Sequence, residues 1–167
     1  MCLKNIVIYH VLSLIYLLPI WALAQQPINY KESLNNGLTY DMGKDNVLNI
    51  LGKPDYIGDN EYWEATGNTY QVWEYTDIGL SLIIETLSDT SLSRIHIIEI
   101  SQNSTLCTSK NVCINSSKDY VLAQYKSFIN KELSTPSMIV IGDEYKGIYF
   151  YLQNEKVVKI VLGYVAE

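Results

Sequence analysis

KDYVLAQYKSFINKEL, residues 118–133, decides how the rest of the chain is put together. Val121, Leu122, Tyr125, Phe128, Ile129 and Leu133 recur there as an apolar stripe at helical spacing. Ser116, with Asp119 three residues later, resembles a capping box with Asp in place of Glu. The pattern predicts one helix across 118–133. After it, MIVIGDEY, GIYFYLQ and KVVKIVLGYV read as three strands, the last two joined by a tight turn at Asn154-Glu155.

The same order stands upstream. KDNVLNIL, 44–51, places Val47, Leu48 and Leu51 on one helix face; Gly52 caps that helix and Pro54 prevents its continuation. TYQVWEY (69–75), GLSLIIETL (79–87) and LSRIHIIEI (92–100) then read as strands, with a turn at Ser88-Asp89-Thr90. The glycine-containing turn at 52–55 follows a helix, whereas phosphate-binding glycine loops precede one, so it is a helix stop.

Helix and three strands thus occur twice, and the residues repeat with them. Lys44-Asp45-x-Val47-Leu48 recurs as Lys118-Asp119-x-Val121-Leu122, and Arg94-Ile95-x-Ile97 as Lys159-Ile160-x-Leu162. Glu74-Tyr75-x-x-Ile78-x-Leu80-x-Leu82 recurs as Glu144-Tyr145-x-x-Ile148-x-Phe150-x-Leu152. The fold class expected is α+β: two tandem modules, each a helix packed on a three- or four-stranded antiparallel sheet. The corresponding divisions are a signal peptide (1–24), an N-terminal extension (25–37), a first module (38–100), a linker (101–117) and a second module (118–167).

Residues 1–24 carry Lys4, a long apolar run and Ala22-Leu23-Ala24, the pattern of a secretory leader cleaved between Ala24 and Gln25. Removing it takes away Lys4 and no acid, so the net charge of −6 becomes −7. Arg94 is the only arginine, and an acidic chain with scattered lysines lacks the clustered cations that bind nucleic acid. Cys107 and Cys113 remain in CTSKNVC; export and an even cysteine count predict a disulfide between them. Two sequons, Asn103-Ser104-Thr105 and Asn115-Ser116-Ser117, flank that pair.

Val47, Leu51, Gly52 and Pro54, followed by Trp73-x-Tyr75, resemble the small SmpA/OmlA-type lipoproteins of the outer-membrane protein assembly machine. Two such modules in tandem are similar to the β-lactamase inhibitor protein family. The resemblance implies two helix-plus-sheet units presenting an aromatic-rich sheet to a protein target. The chain departs from it at two points. Gln25 and Gln26 stand where a lipoprotein has its acylated cysteine, so no lipid anchor is expected, and there is one cysteine pair where the inhibitor has one per repeat.

Side chains for catalysis are few. Outside the leader His96 is the only histidine, and strand alternation puts it beside Arg94 on a sheet. Asp55, Asp59, Glu61 and Glu64 lack the alternation of a calcium loop and read as a solvated acidic rim. No catalytic pair, metal site or cofactor is singled out. Aromatics are abundant instead. Tyr62, Trp63, Tyr70, Trp73 and Tyr75, with Tyr145, Tyr149 and Tyr151 in the second half, are the candidate binding residues, because Tyr and Trp favour contact hot spots.

The function expected is an exported, non-enzymatic protein-binding module: an inhibitor, an immunity protein or an envelope-assembly factor. Its partner would be another envelope or secreted protein, with peripheral membrane contact left open. The alternatives are a small periplasmic hydrolase using carboxylates and a structural envelope protein without a defined ligand.

Overall fold

The computed structural model describes residues 32–143 and 145–163; the expected leader and its Ala24–Gln25 cleavage point lie outside the described residues. Helix α1 (Lys44–Leu51) ends as its sequence predicts. Gly52 adopts φ 75° and returns its N–H to the Leu48 carbonyl. Strands β1 (Tyr56–Ile57) and β2 (Glu61–Trp63) share the outer edge of β3 (Asn68–Tyr75), and β4 (Leu80–Thr86) and β5 (Ser93–Ile100) follow. After helix α2 (Lys118–Tyr125) come β6 (Ile129–Thr135), β7 (Met138–Gly142), β8 (Gly147–Gln153) and β9 (Lys156–Gly163). The turn between β8 and β9 has Asn154 and Glu155 both at positive φ, as a two-residue hairpin of type I′ requires.

Two expectations are corrected here. The strands do not form two helix-on-sheet modules: they make one nine-stranded antiparallel sheet in the order β1-β3-β4-β5-β9-β8-β7-β6, with β2 also on β3. The physical reason is the pairing of β5 with β9, which runs from Ile97↔Gly163 to Ile100↔Ile160 and leaves no boundary between the halves.

The helix predicted over 118–133 also stops early, at Tyr125. Beyond it Ile129 and Asn130 pair with Ile141 and Val140, and the Gly142 N–H reaches the Phe128 carbonyl. A helix through 133 would have left the apolar strand β7 with a bare edge, so backbone pairing overrides the helical stripe. The cap sits one residue later than expected, because it is Ser117 whose side chain accepts the Tyr120 N–H.

One sheet face is covered. Trp73, Leu82, Ile98, Leu162, Ile148 and Ile141 lie on it in register, under Val47 of α1 and Val121 and Tyr125 of α2. Each fully buried aliphatic side chain contributes about 1.5–3 kcal/mol. Bulges hold this face together. His96 is the extra residue between Ile95 and Ile97 opposite β4, and Val158 plays that part between Val157 and Lys159 opposite β8. Each bulge brings two apolar residues three apart, Ile95 with Ile98 and Val157 with Ile160, onto the same buried face.

Residues 101–117, read as a linker, close the end of this core. The Cys107–Cys113 disulfide is present, Leu106 and Val112 point into the core, and Leu34 pairs with Thr108. Buried Glu32 fastens the N-terminal segment to the loop, accepting from the Ser109 N–H and hydroxyl and from the Tyr125 hydroxyl.

Two stability outcomes follow from this packing. A Cβ added at Gly163 (φ 121°) would stand 2.3 Å from the His96 carbonyl oxygen, so Gly163→Ala should lower unfolding free energy in urea by about 2–3 kcal/mol. Reducing the disulfide, or Cys107→Ser with Cys113→Ser, should cost about 2–3 kcal/mol in the same titration by releasing a closed loop.

Candidate functional site

The opposite sheet face carries no helix. Register places Tyr70, Val72 and Glu74 of β3 there, followed by Glu85, Ile83 and Ser81 of β4 and by Arg94, Ile97 and Glu99 of β5. Trp63 of β2 lies on the same side through its pairing with Asn68, and Tyr56 of β1 through Glu74. In the other half, Val140, Tyr149 and Val161 are buried in a second cluster with Leu133, Met138 and Tyr151 packed against it. That half is largely self-covered, and the β3–β5 half is the open one.

A polar network lies under the open half. Buried Glu85 accepts from Asn68 Nδ2 at 2.8 Å and the Tyr70 hydroxyl at 3.0 Å on Oε1, and from Arg94 Nε at 2.9 Å on Oε2. Arg94 Nη1 lies 3.2 Å from Asp41 Oδ1, and Lys146 Nζ 3.6 Å from Asp41 Oδ2. Asp41 can reach both cations because its segment takes the free edge of β5 where β9 has ended; the Asp41 N–H bonds the Ile95 carbonyl. Two anions and two cations therefore alternate from β4 to the β7–β8 turn.

Aromatic rings cover this network. Trp63 stacks on Tyr70 with ring centres 4.0 Å apart, and His96 meets Tyr70 edge-on at 5.0 Å. Burial pushes the Glu85 carboxyl up, but the hydrogen bonds from Arg94, Tyr70 and Asn68 outweigh it and hold its pKa below the usual carboxylate range. Burial lowers the His96 pKa against the upward pull of Glu85, whose Oε2 lies 3.7 Å from Nδ1. With Oε1 and Oε2 both engaged, Glu85 acts as a tie between strands. Among the described residues no group of three or more His, Cys, Asp or Glu is placed to hold a metal ion.

The eight candidate aromatics do not form one surface. Trp73 is 1 % exposed and lies with Tyr75 on the covered face. Lys44 of α1 sits 5.0 Å over the Trp73 ring, and the Tyr75 hydroxyl donates to the Gly52 carbonyl. Tyr70 and Tyr149 are buried on the helix-free side, whereas Trp63 and Tyr151 are half-buried there. Tyr62 and Tyr145 are exposed, the latter lining a shallow groove with Asn130, Leu133 and Asp143. The Glu85–Arg94–Asp41 chain is absent from the sequence-based candidates. Its signal was the cross-strand pairing Glu85↔Arg94, which is legible once the two strands are set in register.

Comparison with known proteins supplies no relative: no family model matches the chain, and neither a curated protein nor a solved structure matches it.

The lowered pKa values of His96 and Glu85 make acid a destabilising condition. The folded pKa of His96 lies below its ordinary 6.5, so below that pH the unfolded chain takes up the proton more readily and stability falls. The folded pKa of Glu85 lies below 4.5, so its contribution is whole above 4.5 and is lost as pH falls through the folded value. Urea midpoints measured from pH 8 to pH 3 should decline in two stages. His96→Phe should remove the earlier stage and Glu85→Gln the later one.

Proposed function

We propose that the chain is an exported, non-enzymatic protein-binding module that works in the periplasm or outside the cell. Its contact surface is the helix-free face of the β1–β5 half. One observation carries this: Tyr56 and Val72 stand exposed on that face, with half-buried Trp63, Ile83 and Ile97 around them, and no described element lies over them. Exposed apolar clusters rimmed by polar groups are characteristic of protein contact sites. The network beneath supports the same reading. It fixes Tyr70 and Arg94 by ion pairs and hydrogen bonds, so the face is rigid before a partner arrives and little ordering entropy is lost on contact.

Export is compatible with the disulfide, and among the described residues no helix is long and apolar enough to cross a membrane. A carboxylate hydrolase has less in its favour, since Glu85, the one buried acid among the described residues of this face, has both oxygens occupied.

The test is site-specific photocross-linking in the cells that produce the protein. A benzoylphenylalanine at position 56 should yield one discrete adduct, lost when Val72→Arg is added. The same probe at Tyr120, exposed on α2, should yield none. Equal adducts from both positions, or none from position 56, would contradict the assignment.

A further inference from the structure

The outer corner of the sheet, β1, β2 and the adjoining part of β3, holds two properties together. The first is charge. Residues 53–77 contain Asp55, Asp59, Glu61, Glu64, Glu74 and Asp77 against Lys53, a net −5 in a chain whose whole net charge is −6. Glu74 is half-buried and the other five carboxylates are exposed. The second is exposed apolar surface. Tyr56 (56 % exposed), Ile57 (51 %), Tyr62 (63 %) and Val72 (38 %) all lie at this corner. Register divides them between the two sides, with Tyr56 and Val72 on the helix-free face and Ile57 and Tyr62 on the other.

The corner is also held firmly. The Gly58 N–H bonds the Val72 carbonyl at 2.8 Å, and Gln71 Nε2 donates to the Gly58 carbonyl at 3.0 Å. Gln71 Oε1 in turn accepts from the indole of buried Trp73 at 2.9 Å. Asp55 Oδ2 takes both the Thr76 N–H and its hydroxyl. Two short strands of two and three residues separated by a turn make a poor template for an added strand, so recognition here runs through side chains.

Resting on the protein-binding function above, we infer that this corner is the docking surface and that its partner is a basic, amphipathic protein segment. Lysines or arginines of that segment meet Glu61, Glu74 and their neighbours, and its apolar side chains cover Tyr56 and Val72, which register places on the same helix-free side as those two carboxylates. The concentrated negative field attracts such a segment over a Debye length and repels acidic competitors, and the exposed apolar groups then hold it. An anionic membrane surface is disfavoured by the same carboxylates.

Two synthetic peptides, one alternating lysine and leucine and the other lysine and serine, are titrated into the oxidised protein with amide chemical shifts as readout. A third peptide alternates glutamate and leucine. The lysine–leucine peptide should bind at least tenfold more tightly than either control and perturb residues 55–74. Its affinity should fall at least tenfold between 50 and 500 mM salt, and again in a Glu61→Gln/Glu74→Gln variant, an isosteric change at one exposed and one half-buried position that leaves the fold intact.

Equal binding of the lysine–serine peptide would reduce the effect to bare charge attraction and overturn the inference. So would perturbations outside the corner, or stronger binding to phosphatidylglycerol vesicles than to the peptide. If no peptide binds while photocross-linking from position 56 still captures a partner, the basic-segment inference falls and the protein-binding function stands. If position 56 captures nothing, the function itself falls.

Discussion

The pairing of β5 with β9 is the contact on which the rest of this molecule depends. Ile98 opposite Leu162 and Ile100 opposite Ile160 bring the apolar rows of both chain halves onto one face. Both helices and the disulfide-closed loop then bury a single core. The join tolerates nothing larger than glycine at its end, where Gly163 lies against the His96 carbonyl. Where β9 stops, the segment around Asp41 takes over the edge of β5, and its carboxylate spans Arg94 and Lys146 from the two halves. A one-residue slip in this register would turn one half's core row to solvent, which is why the pairing is so strongly specified.

The two sheet faces solve different problems. The covered face is apolar at its centre and is sealed by α1, α2 and residues 104–113, with Glu32 and Tyr125 tying the seal to the chain's N-terminal segment. The helix-free face is mixed. Its β7–β9 half packs on itself through Val140, Tyr149 and Val161. Its β3–β5 half places a charge-balanced network under stacked rings, a structure that holds side chains still without covering them. Rigid aromatic and carboxylate groups at the outer corner are what this arrangement presents to the surroundings.

Local sequence suffices where a short-range rule governs. The helix stop at Gly52, the strand β3 with its aromatic alternation, the Asn154-Glu155 hairpin and the Cys107–Cys113 bridge each follow from a few neighbouring residues. Failures fell where a distant partner decided. The stripe Val121–Leu133 is helical in spacing, yet Ile129 and Asn130 are drawn into the sheet by Ile141 and Val140. Trp73 and Tyr75, taken with the binding aromatics, lie on the face that α1 covers. Alternation told that they share a side, and only packing told which side is inside.

The sequence by itself therefore determined six of the strands (β3, β4, β5, β7, β8 and β9), the first helix, the cysteine pairing and the acidity of residues 53–77, because propensity, turn chemistry and charge act over a few residues. The tertiary structure alone decided that the strands form one sheet, that residues 129–135 extend it, and that Glu85, Arg94 and Asp41 meet. Those outcomes depend on which backbone edges and which apolar faces have no other partner, a property of the whole assembled chain.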